Sequence, residues 1–155
     1  MRHFASVSAG VLLLSSLVAC GDQSSTATPE IDAWLQGQID TVDSLPESHG
    51  MMSARETAGA PYREGEGIRI DYADSHEVRT ISFSCFGSGS MHLRLDLEKV
   101  GGAQGFDGDS YECDDSPHEL DLSSMDLGDV NAVEGQGYGA SESGAWSVVV
   151  EATPE

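Results

Sequence analysis

The sequence predicts an all-β domain, a mainly antiparallel β-sandwich or small barrel of about seven strands, preceded by one amphipathic N-terminal helix. Three observations predict it. From residue 67 onward apolar and polar side chains alternate, as in Met91, Leu93, Leu95 and Leu97 against His92, Arg94, Asp96 and Glu98. These runs are short and are punctuated by Gly, Ser and Asp clusters, the spacing of turns in sandwiches and barrels. Each run has one apolar and one polar face, which suits antiparallel sheets with one solvated side rather than buried parallel ones.

The elements follow in order. Residues 1–19 read as a secretory signal peptide, with Arg2 and His3 as a positive start and a small, apolar run from Phe4 to Ala19. Residues 20–29 are small and polar, a flexible tether that carries Cys20. A helix is expected over 30–44. Thr28 caps it, Pro29 suits its first position, and Glu30 and Asp32 complement its positive end. Ile31, Trp34, Leu35, Ile39 and Val42 recur every three to four residues, and Leu45-Pro46 stops the helix. The polar face carries no cation, which argues against a membrane-surface helix and for docking on the β domain. Residues 45–66 are Gly-rich and aperiodic, so an irregular connection is expected.

The β-sandwich domain is expected over 67–155. Ile68, Ile70 and Tyr72 alternate with Arg69 and Asp71, and Asp74-Ser75 reads as a turn. Ile81, Phe83 and Cys85 share a face, and Gly87-Ser88-Gly89-Ser90 breaks the chain before the Met91 strand. Residues 101–110 read as a loop, 111–114 as a short strand, and Asp115-Ser116-Pro117 as a turn. Leu120 and Leu122 mark a further short strand, and residues 123–129 a loop. Residues 130–134 and 144–151 close the domain, with Trp146, Val148 and Val150 on one face.

Charge narrows the function. The 155-residue chain has 27 acidic against 7 basic residues, a net charge of −20. Phosphate backbones need cations, so nucleic acid is not an expected partner. Nor does the sequence hold a basic patch for anionic lipid.

Leu17-Val18-Ala19-Cys20, followed by Gly21, resembles the lipobox of bacterial lipoproteins. The resemblance implies lipid transfer to the Cys20 thiol, cleavage before Cys20, and a palmitate-type anchor on the extracytoplasmic face of the cell membrane. Two or more acyl chains make such an anchor stable. The remaining chain loosely resembles small secreted lipoproteins of high-GC Gram-positive bacteria, in its cysteine-bearing strand, its second cysteine before an Asp/Pro turn and its closing Gly-Ala-Trp strand. No activity comes with that likeness. With Cys20 lipidated, Cys85 and Cys113 remain, and two cysteines in an exported domain are expected to pair as a structural disulfide.

Catalytic signatures are missing. The sequence has no Gly-x-Ser-x-Gly, no Ser-x-x-Lys, no His-Glu-x-x-His and no phosphate-binding glycine loop. An enzyme is therefore not expected, although the many carboxylates leave a hydrolase using an unpatterned carboxylate pair as an alternative. No cofactor is expected. The one metal candidate is calcium at Asp107, Asp109, Glu112, Asp114 and Asp115, because hard cations need clustered oxygens. The segment begins like an EF-hand loop, but Glu112 and His118 stand where that loop needs Gly and Glu. His49, His76, His92 and His118 show no zinc spacing. Tyr62, Phe106, Tyr111 and Tyr138 fall in or beside expected loops and are candidates for stacking on a ligand such as a cell-wall glycan. The expected function is a lipid-anchored cell-surface binding or accessory module with a glycan or protein partner. A structural or assembly protein using its N-terminal helix is a further alternative.

Overall fold

In the computed structural model residues 27–45 and 48–154 are described. Residues 1–19, read above as a signal peptide, Cys20 and most of the expected tether lie outside these residues. Helix α1 spans Ala27–Asp43. Seven strands follow: β1 Ser48–Glu56, β2 Ile68–Phe86, β3 Ser90–Lys99, β4 Gly102–Glu112, β5 His118–Glu119, β6 Val130–Tyr138 and β7 Gly144–Pro154. A single 3-10 turn, Cys113–Asp115, links β4 to β5.

Every strand pairing is antiparallel. The order is β1-β7-β2-β6-β3-β4, with β5 also beside β2. The long β2 serves two neighbourhoods. Residues 68–76 pair with β6, and 76–86 pair with β7. The register shifts between Asp71 and His76, so the expected Asp74-Ser75 turn is instead an irregularity inside one strand. Bulges of this kind bend a strand and raise its twist. Here the bend turns β4-β3-β6 and the start of β2 over β1-β7 and the end of β2, and the inner faces enclose one core. The sheet ends at β1 and β4 without closing, which makes the fold a sandwich rather than a barrel.

Alternation decides what fills it. Leu93, Leu95 and Leu97 of β3 are buried, as are Ile81 and Phe83 of β2 and Val148 and Val150 of β7. Each such side chain contributes roughly 1.5–3 kcal/mol by leaving water. Two glycines of β6 make room for the largest inner residues. A Cβ on Gly137 would stand 2.4 Å from Cδ1 of Trp146, and one on Gly135 would stand 3.1 Å from Cε of Met52. Trp146 and Met52 thus reach across from the opposite layer to lie on bare backbone. Cys85, near the end of β2, and Cys113, just after β4, form a disulfide with their Cα atoms 4.8 Å apart.

Helix α1 lies on the outer side of β1, β7 and β2. Ile31 is buried, the Trp34 ring centroid is 5.9 Å from that of Phe86, and Ser147 Oγ donates to Gln38 Oε1 at 3.1 Å. Arg55 of β1 pairs with Asp32. The stripe is therefore partly engaged by the chain's own sheet. Ile39, at its rim, remains 38% exposed.

Two expected loops are strands. Within 45–66, β1 pairs along β7 from Ser48 to Glu56. Within 101–110, β4 pairs along β3. Both are edge strands with few apolar residues: β1 packs Met52 and Ala54 on the core, and β4 packs Phe106 and Tyr111. Cross-strand pairing overrides weak local preference in such strands.

Candidate functional site

The outer faces of β6, β3 and β4 collect the chemistry. The alternation that buries Leu93, Leu95 and Leu97 turns His92, Arg94, Asp96 and Glu98 to the other side. Register then sets their neighbours: His92 opposite Tyr138, Arg94 between Gln136 and Asp107, and Asp96 opposite Glu134. The connection from β1 to β2 is tied along this face. The Gly59 amide donates to the Ala140 carbonyl at 2.8 Å, the Gly139 amide donates to the Ala60 carbonyl at 2.7 Å, and the Arg63 amide donates to Gln136 Oε1 at 3.4 Å. These bonds set the Tyr62 ring 5.6 Å from Tyr138, edge to face, and Tyr138 stacks on His92 at 5.3 Å. Three rings from three chain segments thus form one row.

Beside the row lies a charged lattice. Arg94 Nη2 donates to Asp96 Oδ1 and Nη1 to Asp107 Oδ2, both at 2.7 Å. Arg69 Nη2 donates to Glu98 Oε2 at 2.8 Å, and its Nε to Asp71 Oδ1 at 2.6 Å. These bonds hold both guanidinium groups more firmly protonated than usual. The Arg69 bond in turn holds the Glu98 carboxyl below its ordinary value. Burial and then the Asp107 charge push the Tyr138 phenol up. A groove of about 500 Å3, lined by Tyr62, Glu64, Arg94, Asp96, Glu98 and Glu134, opens between the connection and β3.

The Glu98 shift has a definite pH consequence. A carboxyl with a depressed folded value contributes stability above its unfolded value, and that contribution is lost as pH falls through the folded one. NMR titration of the Glu98 side chain is expected to give a midpoint below 4.5. Arg69→Ala is expected to return it to the ordinary value. A midpoint insensitive to Arg69→Ala would show that the pair does not hold in solution.

Of the sequence candidates, Tyr62 and Tyr138 are brought together here. Phe106 and Tyr111 are not. Both pack against the core, with Tyr111 5.3 Å from the Phe83 ring, because β4 is a strand whose inward positions they occupy. The calcium candidates are also spread apart. Asp107, Asp109 and Glu112 sit along β4, Asp114 and Asp115 lie in the turn beyond it, and Asp107 already pairs with Arg94. An extended chain places residues 107 and 112 roughly 17 Å apart. Among the described residues no three His, Cys, Asp or Glu side chains are placed to hold a metal ion. The histidines are scattered: His76 stacks on Tyr72, His92 on Tyr138, and His118 Nε2 lies 2.7 Å from the Glu112 carbonyl. The side chain of His49 lies outside the described residues.

A carboxylate-pair hydrolase needs two carboxyls in one cleft with protonation pushed apart. Burial raises Glu56, which lines a separate hollow of about 440 Å3 with Arg55, Arg63 and Glu66. The lowered carboxyls, Glu98, Asp121 and Asp126, do not line that hollow. Sequence reasoning missed His92, Glu134 and Gln136. Their signal was the alternation itself, which marks an outward face without saying which strands adjoin.

The fold and this face define a disulfide-bridged β-sandwich with an aromatic row beside a charged groove. No protein-family model matches the chain, and no curated protein matches it.

Proposed function

We propose that the protein is a lipid-anchored binding or accessory module, held by Cys20 on the extracytoplasmic face of the bacterial cell membrane, whose ligand surface is the outer face of β6, β3 and β4. The Leu17-Val18-Ala19-Cys20 motif supports the anchor. The Cys85–Cys113 bridge fits an oxidising compartment. The observation that carries the binding role is the row Tyr62–Tyr138–His92, assembled from three distant segments, whose outer ring, Tyr62, also lines the half-open groove. Core packing accounts for Phe106 and Tyr111. It does not account for a row on the solvent side of the sheet, where Tyr62 is 40% exposed.

Two measurements test this reading. In a bacterial host the full chain is expected in the membrane fraction, and Cys20→Ala is expected to release it into the soluble fraction. A wild-type chain that is already soluble overturns the anchor. NMR shift mapping of the detergent-solubilised chain with chitotetraose and with a basic peptide tests the surface. Shifts concentrated on Tyr62, His92, Gln136 and Tyr138 with either probe are expected. Shifts confined to another face, or none, overturn it.

A further inference from the structure

We infer that this groove receives a basic peptide segment, with a guanidinium or ammonium group set against the Tyr62 ring. The inference rests on the reading of this face as the ligand surface and adds the chemistry of what binds there. The groove is lined by one guanidinium, Arg94, and four carboxylates, Glu64, Asp96, Glu98 and Glu134. Asp96 and Glu98 are answered by Arg94 and Arg69. Glu64 and Glu134 have no hydrogen bond or ion pair among the described residues. Two carboxylates without a direct ion pair therefore line the groove together with a half-open tyrosine, although Arg69 stands opposite Glu134 in the register. A ring face attracts a cation through its quadrupole, most readily a weakly hydrated one such as guanidinium. An inorganic cation is disfavoured, because no three ligating side chains converge among the described residues.

Charge complementarity extends beyond the groove. The chain carries −20 overall, and a field of that sign steers a polycation toward the surface and repels acidic partners. A neutral saccharide gains nothing from that field. A peptide with several positive charges gains both the field and the two open carboxylates.

The test is calorimetric titration of the detergent-solubilised full chain, at about 150 mM ionic strength, where exposed charges beyond ~8 Å are screened. The probes are a capped hexapeptide of alternating Arg and Gly, spermidine and chitotetraose. The peptide is expected to bind, and Tyr62→Ala is expected to weaken it about fivefold. Glu134→Gln is expected to weaken it clearly more than Asp43→Asn, which removes the same charge from the exposed end of helix α1. Equal losses from Glu134→Gln and Asp43→Asn, or no loss from Tyr62→Ala, would reduce the effect to diffuse charge and overturn the inference. Spermidine binding as tightly as the peptide would overturn the peptide assignment. Chitotetraose binding with the peptide silent would overturn the inference and leave the face as the ligand surface. Silence from all three probes would remove both.

Discussion

Replacing Cys85 and Cys113 by alanine is expected to lower the unfolding free energy by about 3–4 kcal/mol. The chain-entropy model gives roughly that figure for a loop of this length, since the cysteines stand 28 residues apart. Position reinforces it. Cys85 ends the half of β2 that pairs with β7, and Cys113 follows β4 at the far edge of the sheet. β2 and β4 are not neighbours, and apart from the bridge the segment around Cys113 is tied to β2 by the two-residue β5 ladder and by Ser116 on the Cys85 backbone. For a domain of this size the loss corresponds to a melting temperature lower by about 10–20 °C. Calorimetry of the oxidised protein, the protein under reductant and the double alanine variant checks this. Reduced and alanine forms should agree. A melting temperature unchanged by both treatments would mean that the ends of β2 and β4 are held together without the bond.

The second large effect concerns the contact between the layers. Trp146→Ala is expected to cost about 3–5 kcal/mol, the range for removing a buried aromatic ring. Trp146 is 2% exposed and lies directly on Gly137. Gly137→Ala should cost about 1–3 kcal/mol. Its new methyl would meet Cδ1 and Cγ of the indole at 2.4 and 2.6 Å and Sδ of Met91 at 2.9 Å. A ring fixed in a core cannot swing aside like the tip of a long chain. Once Trp146 is alanine, most of the obstruction is gone. The double variant is therefore expected to be more stable than the sum of the two losses predicts, by about 1–2 kcal/mol. Urea unfolding of the four proteins supplies the cycle. Strict additivity would show that the two sites do not touch in solution.

These cases show how much was legible beforehand. The β class, the α1 stripe, the Leu93–Leu97 alternation and the cysteine pair were readable, because each is a local pattern or a count. Strands β1 and β4 were not. Ser48–Glu56 holds two adjacent methionines and little alternation, and Gly102–Glu112 is mostly glycine and polar residues. Their strand character comes from the partner each lies beside. The same limit applied to the site. Tyr62 and Tyr138 could be named as aromatic candidates, but their meeting depends on hydrogen bonds between the 57–66 connection and the end of β6 with the two residues after it. His92 became their neighbour only through the register of β3 on β6. Phe106, in an expected loop, and Tyr111, beside one, read as accessible, whereas the pairing of β4 with β3 turns both toward the core. The acidic candidates from Asp107 to Asp115 fall along β4 and the turn after it, a placement that depends on the pairing of β4 with β3.

The strand order also dictates when the domain can assemble. β7, the last described element, lies between β1 and β2, and Met52 faces Val148, far along the chain. A growing chain therefore offers β1 no partner until its C-terminal segment has been delivered. Closing so long a span is entropically unfavourable and makes folding slow relative to a sheet of consecutive hairpins. Without residues 144–154, β1 and the end of β2 would face an empty slot.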